Sequence, residues 1–351
     1  MSDPFFNGLS VCWFSLLIWI LRRPAAYLIF LQLAVLTILF LLRYNAIVFP
    51  IVTTIALLFS NLSRLKKAGY ISAHFIVIVL LVFAIIKINK QYTGVSSFSN
   101  FGGWQLANDA MTLLRYQKID TTKIDNDDTK KIIRYVTPFF DTATNIPRGA
   151  TAFYFDRLNS PLQRYMIENS IDKNYFKNWN SIGPVYDKFG KTIILNNPYG
   201  YLKYFVRPNT KAYLLPPLEA YEEYNKGTDT LRRLMQEYFN YKSKVIPKGH
   251  PTIYPIVFAP IPYLFTAINV CLVVLILAYY TTGEHKYQSD LFNKSLLCFI
   301  GLYISNCLFI IPLAPTVLRY HNFILTLGLL FTLLLFNSLE FNKKSAITNN
   351  I

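Results

Sequence analysis

Charge is scarce in this 351-residue chain: 15% of the residues are charged, and 19 Asp and Glu stand against 35 Lys and Arg. Arg43 is the only formal charge among the 40 residues 24–63. A helix of that length rises about 60 Å, twice a hydrocarbon core of about 30 Å, so the stretch crosses twice and Arg43 marks the reversal. Histidine is nearly absent, and His74, His250, His285 and His321 form neither an HExxH motif nor a pair with cysteine. That spacing does not point to a structural zinc site. Cys12, Cys271, Cys298 and Cys307 all fall in apolar runs, so no disulfide staples the polar part of the chain.

Familiar catalytic strings are missing too. FGKT at 189–192 ends like a phosphate loop, but the preceding glycine, Gly183, lies seven positions before Gly190 rather than five. No GxSxG occurs. The basic residues are dispersed without an Arg-rich stripe, so the net charge of +16 suits anionic lipid or a phosphate-bearing substrate and does not indicate nucleic acid.

What is present is apolar: 53% of residues are hydrophobic, 16% aromatic, and the mean hydropathy is +0.30. Seven charge-free runs, 4–21, 24–42, 44–63, 68–86, 249–283, 295–318 and 320–339, are each long enough to span. The fold class expected is therefore an α-helical polytopic membrane protein. It would have about seven transmembrane helices, with a mainly helical extracytoplasmic domain inserted between helices four and five. The expected boundaries are four spans in 1–89, the extracytoplasmic domain in 90–248, three spans in 249–342, and a cytoplasmic tail in 343–351.

Orientation follows from the short loops. Arg22, Arg23, Arg64, Lys66, Lys67, Lys286, Lys294, Lys343 and Lys344 fall on one side, and only Arg43 and Arg319 on the other. The positive-inside rule makes the nine-cation side cytoplasmic, in the cytoplasmic (inner) membrane, and puts 90–248 outside. The amino terminus then also lies outside, as though the chain began partway through a larger bundle. The third span is the weak point of this topology, because Pro50 could break its helix, and a re-entrant segment there would invert everything before it.

Within 90–248 the sequence predicts helices. Leu106, Ala110, Leu113 and Leu114 share one face of 104–117, acids precede cations in DDTKKIIRYV, and Ser160-Pro161 opens a further helix. A polar helix pair is expected after Pro217, interrupted near Gly227. No metal cofactor is indicated; Asp125, Asp127 and Asp128 could hold a divalent cation, but acids before KKII fit a solvated helix start. Asp109, in GGWQLANDAM, is the candidate catalytic base, although an aspartate on such a helix ordinarily lies on the solvated face.

Both outward turns carry Arg-Tyr: LLRYN at 41–45 and VLRYHN at 317–322. Arginine forks onto phosphate oxygens and tolerates partial desolvation, so Arg43, Tyr44, Asn45, Arg319 and Tyr320 form a candidate lipid-phosphate site. The competing account is that each arginine snorkels to headgroups while its tyrosine anchors the interface.

Those two turns, the polar domain between spans and the run SIGPVYDKFGKTIILNNPYGYLKYFVRPN together resemble the carboxy-terminal part of bacterial polytopic glycosyltransferases of the GT-C type. The resemblance implies transfer of a sugar from a polyprenyl-phosphate carrier to a glycan or protein acceptor at the outer membrane face. It also implies that Arg43 and Arg319 engage the carrier phosphate. In that family the catalytic acid lies in the first outer loop, whereas here Asp3 is the only acid before the first span. The resemblance therefore implies catalytic helices before Met1 or on another polypeptide. The alternative from a different class is a non-catalytic membrane module that binds lipid-linked glycan or an envelope-assembly partner. A transporter ranks third, because the spans lack interior Asp, Glu, Lys and Arg.

Overall fold

A computed structural model of the chain describes residues 2–142, 153–156, 159–170, 172, 174–216, 230–231, 233–245, 256–257, 259–316 and 321–348. Among them the regular structure is helical, apart from one isolated bridge between Thr230 and Val245. Five helices, Asp3–Arg22, Arg64–Thr93, Ile261–Thr281, Asp290–Leu313 and Asn322–Leu339, are long and apolar enough to cross a membrane. The chain is thus an α-helical protein with the marks of a membrane protein.

The other two expected spans are shorter. α1 (Ser2–Arg22) is followed by α2 (Ala26–Leu42), whose 17 residues rise about 26 Å. Arg43 then leaves the helix in an extended conformation, and Tyr44–Val48 forms a 3-10 turn. α3 (Phe49–Phe59) is only 11 residues long. Pro50 does not break this helix; it sits in the first turn, where a missing N–H costs nothing. α4 (Arg64–Thr93) runs for 30 residues, capped by Ser63 and ended by Gly94 in the left-handed conformation.

The chain divides into two compact units, 1–213 with 283–316, and 214–282 with 317–351. In the first, α1 to α4 pack with a later helix, Asp290–Leu313. Trp13 stacks on Phe49 at 4.3 Å, and Gly301 lets that later helix approach Ile55. Large apolar side chains, Phe75, Ile76, Val79, Leu80 and Phe83, remain exposed along α4. Such a face is suited to hydrocarbon rather than water.

The polar domain of this unit contains α5 (Asn100–Tyr116), α6 (Asp127–Thr142), α7 (Phe153–Asp156), α8 (Pro161–Asn169), α9 (Tyr175–Ser181), α10 (Gly183–Asn196), α11 (Pro198–Tyr201) and α12 (Arg207–Leu214). Of the expected apolar face of α5, Ala110 and Leu113 are buried, but Leu106 and Leu114 are only half-buried; Trp104 and Ala107 instead join Ala110 and Leu113 in the core with Tyr186, Phe189 and Ile193 of α10 and Leu162 of α8. The Trp104 indole donates to Trp179 O at 2.9 Å, and the Tyr186 hydroxyl donates to Leu162 O at 2.5 Å. FGKT lies inside α10, not in a loop, and Gly190 there rests on the backbone of Leu106. Ser160 does stand at the start of α8, without a side-chain cap bond.

Between α11 and α12 the residues Leu202–Val206 form a π-turn, and the Arg207 N–H reaches back to Leu202 O. The next residue, Pro208, has no N–H to give, so the wider turn relieves the helix where the proline enters.

The second unit holds α13 (Arg233–Tyr238), α14 (Ile261–Thr281) and α16 (Asn322–Thr348), with α14 packed on α16. Thr266 and Asn269 of α14 donate to Leu214 O. Only Arg233–Tyr238 of the expected polar helix pair is seen; 217–229 lie outside the described residues. The helix Asp290–Leu313, from here on α15, belongs to the first unit.

Candidate functional site

Arg43 terminates α2, and its guanidinium folds back onto the start of α1. Its Nη1 donates to Asp3 Oδ1 at 2.6 Å, and its Cζ stands 5.6 Å from the Phe6 ring centre. With 15% of its side chain exposed, Arg43 is held by protein groups rather than reaching freely outward. Asp3 sits in the first helical turn, where the helix dipole also favours a carboxylate. The Tyr44 ring packs between Phe98 at 4.5 Å and Phe40 at 5.7 Å, which ties this turn to the segment leading into α5. Asn45 is half-buried beside it. Arg319 and Tyr320 lie outside the described residues.

Asp109 is not on a solvated face. Gln105, Asn108, Asp109 and Thr112, at spacings of three, four and seven, form a polar stripe on α5 that is buried throughout. Asn108 Nδ2 donates to Asp109 Oδ1 at a long 3.4 Å, and Asp109 Oδ2 has no hydrogen-bond partner among the described residues. Burial therefore holds the carboxyl well above the usual carboxylate range, against a smaller opposing effect of the Asn108 bond.

The stripe lies where α5 meets α11 and the end of α15. Burial raises the Tyr201 phenol pKa, and the Asp109 carboxylate raises it further. That phenol donates to Pro312 O. One step along, Asn209 is wholly buried and gives its two amide protons to Ile311 O and Ala314 O, both at 2.7 Å. Its own oxygen accepts the Thr316 N–H at 2.7 Å. Pro312 lies inside α15, and the last turn of any helix has carbonyls without intrahelical donors. Asn209 and Tyr201 supply those donors, so the polar domain caps the membrane helix.

The expected site residues thus separate into two places. Arg43, Tyr44 and Asn45 stay together at the α2–α3 turn, with Asp3 as a partner that sequence reasoning passed over. Asp109 belongs to the joint with α15, along with Tyr201 and Asn209, which were unassigned. The signal for Asp3 was its position: residues 3 and 43 fall at the same end of an α1–α2 hairpin. Asp125, Asp127 and Asp128 are surface acids at the start of α6, with Asp128 3.9 Å from Lys131. Among the described residues no group of three His, Cys, Asp or Glu could hold a metal.

The buried carboxyl fixes a pH dependence. A group whose folded pKa is raised contributes stability that is complete below its unfolded pKa of about 3.9 and is lost as pH rises through the folded value. Thermal unfolding of the full chain in detergent from pH 4 upward should show that loss. Asp109→Asn should flatten it and be the more stable protein at the upper end of the range. An unchanged profile would mean that the carboxyl is not buried as described.

No protein-family model matches the chain, and neither a curated protein nor a solved structure is significantly similar to it.

Proposed function

We propose that the chain is a glycosyltransferase-like membrane protein that handles a polyprenyl-phosphate-linked sugar at the outer face of the cytoplasmic membrane. The observation that carries this reading is the Arg43–Asp3 pair at the α2–α3 turn. A guanidinium there already holds an anionic oxygen at 2.6 Å. Phosphate oxygens present the same acceptors with greater charge, and an arginine fork can take two of them. Tyr44 and Phe98 place that turn next to the polar helical domain, which in this reading meets the acceptor. The resemblance to GT-C glycosyltransferases, carried by the spans, the polar domain, the Arg-Tyr turn and the run 181–209 together, implies the same assignment.

In this account Asp3 occupies the place of the carrier phosphate when no lipid is bound. Asp3→Ala should tighten retention of a polyprenyl-phosphate sugar, and Arg43→Ala should weaken it about tenfold or more, the scale of one charged hydrogen bond. The test is to incubate the purified full chain in nanodiscs with a panel of polyprenyl-phosphate sugars, following both retention and sugar release. Loss of neither in Arg43→Ala sinks the assignment.

The burial of Asp109 favours a second form of the reading, in which this chain binds the lipid-linked sugar without supplying the base. A general base must come within hydrogen-bonding reach of the proton it takes, and Asp109 has no exposed surface. Retention of the donor without sugar release from it is the outcome that selects this form.

A further inference from the structure

The opposite end of the α1–α4 bundle carries a second feature. Residues 4–108 contain eight Lys and Arg and not one Asp or Glu. Five of these cations, Arg22, Arg23, Arg64, Lys66 and Lys67, lie at or beside the α1–α2 and α3–α4 connections. Phe30, the fifth residue of α2, meets Tyr70, the seventh of α4, edge to face at 6.5 Å, so both helices start at this same end. Beside that contact runs a groove of about 390 Å³ lined by Phe30, Leu65, Lys66, Gly69, Tyr70 and Ala73.

The groove is apolar along its length and basic at its mouth. Lys67 is occupied, donating to Leu58 O at 2.6 Å, and Arg22 lies over the Trp19 ring at 5.8 Å. Lys66 and Arg64 are exposed and make no ion pair among the described residues. Gly69 keeps the floor open: a Cβ built there meets no atom within 4 Å.

We propose that this groove is a binding site for one anionic phospholipid, whose acyl chain lies along Phe30, Gly69, Tyr70 and Ala73 while its phosphate rests on Lys66 and Arg64. Charge complementarity selects the occupant. No acid in the first four helices other than Asp3 neutralises these cations, and Asp3 is engaged by Arg43. At a membrane surface the available counter-charge is an anionic headgroup, and the apolar floor suits the chain attached to it. A second copy of this chain would bring its own basic connections to the same mouth and be repelled.

The test uses the delipidated full-length chain in mild detergent, titrated with phosphatidylglycerol or phosphatidylcholine of identical chains and read by native mass spectrometry. Wild type should retain one phosphatidylglycerol in preference to phosphatidylcholine. Arg64→Gln and Lys66→Gln should each reduce that preference about fivefold, the effect of one basic residue near an anionic surface. Gly69→Leu, which improves helix propensity and meets open space, should empty the groove with every cation intact. Equal retention of the two lipids by wild type, or an unchanged preference in all three variants, would overturn the proposal. So would a lipid-independent dimer that Gly69→Leu abolishes, which would assign the groove to a second copy.

Discussion

Gly103→Ala should unfold the polar domain while Gly102→Ala, one residue earlier, leaves it intact. A Cβ at Gly103 would stand 2.0 Å from Gly183 O, 2.8 Å from Gly183 C and 3.1 Å from Asp187 N. All three are backbone atoms of the facing segment, so no side chain can swing aside. The crossing cannot slide either, because a Cβ at Gly190 would already stand 2.5 Å from the Leu106 carbonyl carbon. Overpacking of side chains costs about 1–3 kcal/mol, and a backbone collision at the central contact of this core should exceed that range. At Gly102 the nearest atom is Ser99 Oγ at 3.8 Å, so alanine there should be neutral or stabilise by up to about 1 kcal/mol. Amide exchange across α5 and α10 in the full chain distinguishes the two: protection lost for Gly103→Ala, retained for Gly102→Ala. Equal protection in both would refute the helix crossing.

Asn209→Ala should cost about 3 kcal/mol. The substitution removes three 2.7 Å hydrogen bonds at once and leaves the buried Thr316 N–H and the partly buried Ile311 O and Ala314 O without this partner. Each buried group left unsatisfied costs about 1–3 kcal/mol, and partial repair by water brings the sum down toward that figure. Asn209→Asp should not rescue it. A carboxylate can still accept from Thr316, but it has no protons for the two carbonyls and would face them with a negative charge. A fall in unfolding temperature with faster exchange at Thr316 is the expected readout. A wild-type melting curve in both variants would show that the joint with α15 does not depend on this side chain.

Much of the architecture is legible in the sequence because apolar run length and helical periodicity are direct consequences of burial. The start of α8 after Ser160-Pro161 and the break at Arg43 appear where the residues place them, and of the expected face of α5 the two residues Ala110 and Leu113 are buried. Run length alone does not show where a helix starts within the run. Residues 44–63 read as one span, but the chain spends the first five on a 3-10 turn and begins its helix at Phe49. The site was harder to read for a related reason. Gln105, Asn108, Asp109 and Thr112 have the spacing of a solvated stripe, and that spacing is identical when the stripe is buried against another helix. Asn209 and Pro312 are about a hundred residues apart, so nothing local announces that one caps the helix containing the other. Gly190 shows the converse: a glycine that suggests a loop by its neighbours is there so that two helices can touch.

The joint also gives the polar domain a mechanical connection to the membrane part. Tyr201 and Asn209 hold the last turn of α15, while Phe98 and Tyr44 connect the approach to α5 with the turn that carries Arg43. A ligand that displaces Asp3 from Arg43 would act on a turn already packed against that domain.

The most direct test is therefore binding of polyprenyl phosphate against the matching polyprenol, measured on the full chain in nanodiscs with wild type, Arg43→Ala and Asp3→Ala. The account predicts that wild type prefers the phosphate, that Arg43→Ala loses the preference about tenfold or more, and that Asp3→Ala strengthens it. Equal binding of phosphate and alcohol by wild type, or a preference untouched by Arg43→Ala, would contradict it.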